Sequence, residues 1–398
     1  MWCPSCGWNL PVPEGKRSIS QAVTDRLTAG LHADTLKKGA DVPGTTVARV
    51  LSYVIAASVH VIAAGALVGA GWAVVTWPNV LGVLLGALLL FVAWLMRPRL
   101  GRLPRGPLVL TRGAAPRLYD LIDRVGAEIG ANPVDLVIVT PAFNGSFGQV
   151  GLRGRRVLEI GAPLWALLQP QQRVALLAHE LSHSSNGDSR HARFTRTALG
   201  ALESVRRSMR GASRGGEYVG ETMPESVLGP FALAVIILMR VSGLLVWMLG
   251  MLLLFVTMRS ARQAEYVADE RAARVASSEA AAGTLDLVAT GDIDVNELAW
   301  MSAALGPSVW EKLRERQAAF PDHELERRRR IQAMEQARVD DSHPPLPLRV
   351  EFIRSLHHDW PVIRLRDNEN EAIEAELAPL FDRLVTELAA TKKHDSFA

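Results

Sequence analysis

The stretch "ALLAHELSHSSNGD", residues 175–188, sets His179 and His183 four positions apart with Glu180 directly after the first histidine. On an α-helix, residues four apart lie one above the other on the same face. Both imidazoles can therefore turn to one metal ion, with Glu180 beside the ion but not bound to it. In a hydrolytic zinc site such a glutamate takes a proton from metal-bound water and returns it to the leaving amine. An open catalytic shell needs a third protein ligand. Alone the pentapeptide carries modest weight: "HELER" at 323–327 begins the same way but ends in Arg327, without a second histidine.

The flanking residues predict a helix for the pentapeptide. Pro170 suits a first helical turn and Gly187 a helix end, so "LWALLQPQQRVALLAHELSHSS" reads as two short helices divided at Gln169-Pro170. Upstream, "APRLYDLIDRVGAEIG" (115–130) has apolar residues at helical spacing and stops at Gly130. "VDLVIVT" (134–140) and "RRVLEIGAPL" (155–164) read as strands. The expected fold class is mainly α with a small β-sheet.

A third ligand is available in "EYVAD", which puts Glu265 and Asp269 on one face of a predicted helix. Glu265 can complete a shell of two histidines and one carboxylate. Asp269 can accept a hydrogen bond from the far nitrogen of a ligand histidine and fix its tautomer. The competing reading is a surface pair beside Arg262 and Arg271, and the residues alone leave it open.

"HELSHSSNGD", then "RQAEYVADERAA", then "HPPLPLR" resembles the gluzincin membrane proteases of the HtpX and CAAX-prenyl-protease type. The similarity extends upstream through "PRLYDLIDRVGAEIG", "FNGSFGQ" and "RRVLEIGAPLWALLQPQQRVALLAHE", and covers residues 110–355. It implies a zincin-type domain and a zinc endopeptidase with ligands His179, His183 and Glu265 and with Glu180 as general base. Asp269 matches the family's acid behind a ligand histidine. His343 and Arg349 match positions that line the site and support the oxyanion and the ligand helix. Relatives read Asn-Ala-Phe where this chain has "FNGSF" (143–147), which puts the edge-strand geometry in question. The strand at 155–161 is expected to offer unpaired backbone to an extended substrate.

Membrane signals frame this domain. Residues 50–76 and 80–96 are apolar runs without a charge, separated by "WPN", and each is near the ~20 residues that cross a bilayer as a helix. Trp72, Trp77 and Trp94 stand where interfacial aromatics are expected. His60, inside the first run, reads as a neutral histidine hydrogen-bonded in a helix interface. Arg97, Arg99, Arg102 and Arg105 follow the second run, which places the N-terminus and everything after residue 97 in the cytoplasm. A third apolar stretch, 227–258, separates the two halves of the zinc site, which must lie on one side of the membrane. Two crossings need ~40 residues plus a turn, so a re-entrant hairpin turning at "RVSG" (240–243) is expected. A long helix packed partly on the protease and partly in lipid is the second choice.

The predicted domains are a cytoplasmic segment 1–48, a transmembrane hairpin 49–96, peptidase halves 97–226 and 259–358 around the insert 227–258, and a helical tail 359–398, in which 367–391 reads as an exposed amphipathic helix. Of 398 residues, 44 are Lys or Arg and 41 Asp or Glu, so no global charge favours nucleic acid. The "ERRRR" run (326–330) lacks interleaved aromatics and reads as a solvated helix face. The cysteines are Cys3 and Cys6 alone, which excludes a disulfide framework and fits a reducing compartment. No basic and apolar leader precedes them. "WCPSCGW" has zinc-knuckle spacing but half the ligands; a second structural zinc could be completed by another chain, making a homo-oligomer, or by histidines such as His32. Inert thiols or redox chemistry are the alternatives. The expected protein is a multi-pass plasma-membrane zinc endopeptidase, its site facing the cytoplasm and its substrates misfolded membrane proteins. The competing class is a non-catalytic zinc-stabilised scaffold or sensor whose CxxC segment binds a partner.

Overall fold

Both strand expectations hold, as parallel neighbours inside a mixed four-stranded sheet. The computed structural model describes residues 10, 19–40, 47–99, 108–185, 188–222, 230–291, 293–334 and 343–395. The sheet contains β1 (Val109–Leu110), β2 (Leu136–Thr140), β3 (Gly145–Val150) and β4 (Arg155–Gly161), in the order β1-β2-β4-β3. β2 and β4 are parallel; β1 and β3 pair antiparallel to their neighbours. The expectation of an open edge at 155–161 is therefore corrected: β4 is covered on both sides, and β3 is the edge strand next to it, with β1 at the other edge. "GSFGQV" contains two glycines and only one β-branched residue, so it carries little strand signal of its own. The hairpin that folds it onto β4 turns through Gly151 and Gly154, both at positive φ (71° and 62°), where a side chain would be strained.

The chain divides into two compact units. One contains the sheet and is built from Met1–Pro43, Arg102–Ser189 and Arg259–Ala398; the other is built from Gly44–Gly101 and Arg190–Met258. In chain order the helices are α1 (Ile19–Lys38), α2 (Val47–Thr76), α3 (Val80–Leu95), α4 (Pro116–Glu128), α5 (Ala162–Leu167), α6 (Pro170–Ser185) and α7 (Asp188–Thr222). They continue as α8 (Pro230–Ala276), α9 (Ser278–Thr290), α10 (Val295–Leu305), α11 (Val309–Ala318), α12 (Asp322–Met334), α13 (Leu346–Ser355) and α14 (Asp367–Asp395).

In the first unit, α4 begins on Pro116 and ends before Gly130, whose φ of +66° a glycine tolerates. Its buried stripe, Leu118, Leu121, Ile122 and Val125, packs on the sheet with α6. Tyr119 Oη donates to Leu110 O (2.9 Å) and accepts from Val137 N (3.0 Å), pinning β1 and β2. The tail is amphipathic as expected but not exposed. Ile373, Leu377, Phe381, Leu384 and Val385 of α14 are buried in the main core, and Glu376 accepts from the backbone N–H groups of Arg117 and Leu118 at 2.9 and 3.0 Å. A sequence shows an apolar stripe but not what covers it. The arginines of "ERRRR" are held in ion pairs: Arg327 and Arg328 with Glu324, Arg329 with Asp286, and Arg330 with Glu326.

In the second unit, α2 and α3 form the expected hairpin. Asn79 caps α3 by accepting from Gly82 N (3.0 Å). A Cβ on Gly82 would lie 1.9 Å from Trp77 O and one on Gly86 2.6 Å from Val74 Cγ2, so this GxxxG pair lets α3 close on α2. His60 has Thr197 Oγ1 at 3.3 Å and Phe194 O at 3.4 Å, a helix-interface environment. Among the described residues, two helices, α2 and the Arg240–Ala276 part of α8, are long and apolar enough to cross a membrane.

The hairpin expected at 240–243 is not formed; α8 runs unbroken for 47 residues. After Pro230, at the helix start, it contains no proline, and an interior glycine costs only about 1 kcal/mol. The chain returns by pairing two helices instead. Cβ atoms at Gly243 and Gly250 would contact Met209 (3.7 Å) and Leu202 (4.0 Å), so α7 and α8 are antiparallel. Cys3 and Cys6 lie outside the described residues.

Candidate metal centre

Helix α6 is fixed by its apolar face. Val174, Leu177, Ala178 and Leu181 are buried in the main core, which turns His179, Glu180 and His183 to the opposite side. Its first turn is tied down by Arg173, whose guanidinium donates to Trp165 O (3.2 Å) and Asn370 Oδ1 (2.6 Å) and pairs with Glu374 (2.7 Å). The C-terminal part of α8, beyond the apolar stretch that ends at Met258, faces these histidines with Glu265 and Asp269.

His179 Nε2 and His183 Nε2 each lie 3.5 Å from an oxygen of Glu265, and one ligand atom from each of the three residues can be chosen with all separations within 4.8 Å. A separation of 3.5 Å is long for a charge-assisted hydrogen bond, which runs about 2.7–2.9 Å. It suits two corners of a tetrahedron whose metal–ligand bonds are about 2.0–2.1 Å, since those corners stand roughly 3.4 Å apart. Glu265 Oε2 is buried and makes no hydrogen bond among the described residues, although His343 Nδ1 stands only 2.8 Å away, out of alignment. The donor set, its spacing and this orphaned oxygen fit a zinc ion.

The groups behind the ligands are engaged. His179 Nδ1 meets Asp269 Oδ1 at 3.1 Å, which leaves Nε2 directed at Glu265. Arg349, buried, holds Asp269 with two hydrogen bonds of 2.8 and 2.7 Å and reaches Glu265 Oε2 at 3.4 Å. Burial opposes charge on His179, but its contacts to Asp269 and Glu265 outweigh that and raise its pKa to about 10. Burial dominates at His183 and lowers its pKa. Glu265 is also opposed by burial, yet Arg349 and His183 hold its carboxyl well below the usual range. His343, beside Glu265, is raised.

Glu180 is partly exposed and borders the sheet edge. A Cβ on Gly145, the first residue of β3, would stand 3.0 Å from Leu176 Cδ1 and 3.5 Å from Glu180 Cγ. The seven residues that the sequence assigned to this centre, His179, Glu180, His183, Glu265, Asp269, His343 and Arg349, share one site. Sequence reading missed β3 as the adjoining edge and the residues behind Glu265, Arg262 and Tyr266. Tyr266 sits inside "EYVAD" and is readable as the aromatic on the flank next to Glu265 and Asp269.

Two imidazoles and a carboxylate around one point, with a further carboxylate alongside, define a metallopeptidase type of centre. The sequence profile of peptidase family M48 matches residues 120–357, and the chain belongs to this family, the HtpX- and CAAX-protease-like zinc metallopeptidases. No curated protein and no solved structure matches it. The match includes both halves of the site and begins after α1, α2 and α3.

Proposed function

We propose that this metallopeptidase is a membrane-bound zinc endopeptidase, with His179, His183 and Glu265 holding the metal. The observation that carries the reading is the partly exposed Glu180, one residue from a ligand and outside the ligand set, where a purely structural metal site has no use for it. When bound, zinc supplies Lewis acidity: it polarises a carbonyl and brings the pKa of a water to about 7. Glu180 takes the proton of the attacking water and delivers it to the leaving amine. His343 donates a hydrogen bond to the developing oxyanion. Asp269 fixes the tautomer of His179, and Arg349 fixes Asp269. An extended substrate adds to β3 as a further strand, which aligns its backbone next to Glu180 with little sequence selectivity.

The enzyme sits in a plasma membrane, a reading that the apolar helices support, with its site on the cytoplasmic face, the side that the arginines following residue 96 favour. It acts on misfolded membrane proteins, and the Cys3–Cys6 segment holds a second zinc, shared between copies. The test compares the intact protein with Glu180→Gln, both loaded with zinc, on casein. Wild type should cleave, and the variant should lose about 10²–10⁴-fold in rate while keeping its zinc. Equal inactivity of both with zinc held at His179, His183 and Glu265 would favour the scaffold or sensor.

A further inference from the structure

Helix α1 lies ahead of the family match, yet its buried face meets the two helices that carry Glu265 and Arg349. Among the described side chains, that face consists of Thr24, Thr28, Leu31, His32 and Thr35, one apolar residue and four polar ones. Among the described side chains, its apolar contact is Leu31 with Tyr266 and Phe352, bordered by Ala40 and Leu356. The contacts that give it a register are directional. Tyr266 Oη lies 3.2 Å from His32 Nδ1, and His32 Nε2 lies 3.2 Å from Glu351 Oε2. Arg262, buried on α8, donates to Thr28 Oγ1, which itself donates to Thr24 O.

The direction of these bonds is consistent along the chain of partners. An ionised Glu351 can only accept, so His32 Nε2 donates to it, and in the neutral ring Nδ1 then accepts from the Tyr266 hydroxyl. Both ring nitrogens are thereby occupied, and neither is left for Cys3 and Cys6. Tyr266 is the residue after Glu265, and Glu351 is two residues after Arg349. One imidazole therefore links the helix of a metal ligand to the helix of the arginine that orients the carboxylate behind His179.

We infer that His32 is a positioning residue for the metal centre, setting the register of α8 against α13 so that Glu265 and Arg349 meet at ligand-competent distance. Resting on the zinc-peptidase reading, this gives α1 a role in that site. Polar contacts are suited to alignment because they specify one register, whereas a small apolar patch tolerates sliding. A helix bearing an aligning contact outside the matched region also explains why so polar a face is buried at all. Among the described residues, Thr24 Oγ1 there has no hydrogen-bond partner, a cost that mere packing area would not require.

The experiment uses the full chain in detergent and reads zinc affinity by competition with a chelator, alongside kcat and KM on casein. His32→Ala should weaken zinc by about tenfold, the lower end for loss of an outer partner of a metal site, and lower kcat with KM unchanged. His32→Gln, whose amide can both donate and accept, should recover most of both. Tyr266→Phe, which removes one hydroxyl, should weaken zinc in the same direction and serves if the alanine variant does not fold. Wild-type zinc affinity in Tyr266→Phe and in whichever His32 variants fold would overturn the proposal. A glutamine variant as impaired as the alanine one would overturn it too. Zinc binding that responds to His32 without any casein cleavage would instead remove the peptidase reading and leave the positioning role standing.

Discussion

His179 and His183 are one helical turn apart, yet their surroundings push their protonation in opposite directions. His179 lies between Asp269 and Glu265 and its pKa is raised to about 10; His183, desolvated with less compensation, is lowered. A group whose folded pKa exceeds its unfolded 6.5 stabilises fully below that value and loses its contribution as pH climbs towards about 10. The metal-free protein should therefore lose stability across that window, measurable as a falling thermal midpoint. Zinc needs the neutral ring, so at pH 7 its uptake must expel at least about one proton, chiefly from His179. Titration calorimetry in buffers of different ionisation enthalpy should show that release, and zinc affinity should fall as pH is lowered. A binding enthalpy independent of buffer would contradict the placement of His179. Local spacing made the two histidines and Glu180 legible in the sequence. The link between His32 and Tyr266 was not, because that contact joins residues 234 positions apart.

Among the elements, α14 differs most from its sequence reading, and the difference has an energetic consequence. Its five buried residues, Ile373, Leu377, Phe381, Leu384 and Val385, each contribute about 1.5–3 kcal/mol if fully removed from water. That is comparable with the whole stability of an ordinary domain, about 5–15 kcal/mol. Truncation before Asp367 should leave a protein that is digested throughout in limited proteolysis. Glu376→Ala removes only the carboxylate that caps α4, and should cost about 1 kcal/mol of stability with activity intact below the melting point. A truncated chain with wild-type protease resistance would show that α14 is dispensable. The 3.6-residue period gave the helix away, but an amphipathic stripe looks the same whether a core or a solvent boundary lies against it. β3 shows the converse. It became a strand through pairing with β4, not through its own glycine-rich composition, so only the fold reveals it as the sheet edge beside Glu180.

At the scale of the whole chain, the proposed ligands His183 and Glu265 bracket an excursion that leaves the sheet-containing unit at Ser189 and re-enters it at Arg259. Equal sidedness was legible, since one ion cannot be shared across a bilayer, but the means of return was not. Hydropathy draws attention to 227–258 alone, whereas the returning partner of that apolar helix is the polar α7. The pairing of Gly243 with Met209 and Gly250 with Leu202 brackets α7 positions 194–216 opposite α8 positions 236–258. That part of α7 carries Arg196, Glu203, Arg206, Arg207, Arg210 and Arg214. At about 2.5–3.5 kcal/mol for each charge at the bilayer centre, a crossing by α7 would cost up to roughly 15–20 kcal/mol before any snorkelling relief. The apolar side of α8 cannot cross alone without separating the ligands, so the pair is expected to stay on one side, α8 dipping its apolar surface into the leaflet. Reporter fusions at 186–187 and after 259 should agree if the site is assembled. A third fusion at 223–229, between α7 and α8, should read the same side as both. An opposite reading there alone would leave the metal centre intact, because both helices would cross, and would require the arginines of α7 to face a protein interior or water inside the membrane.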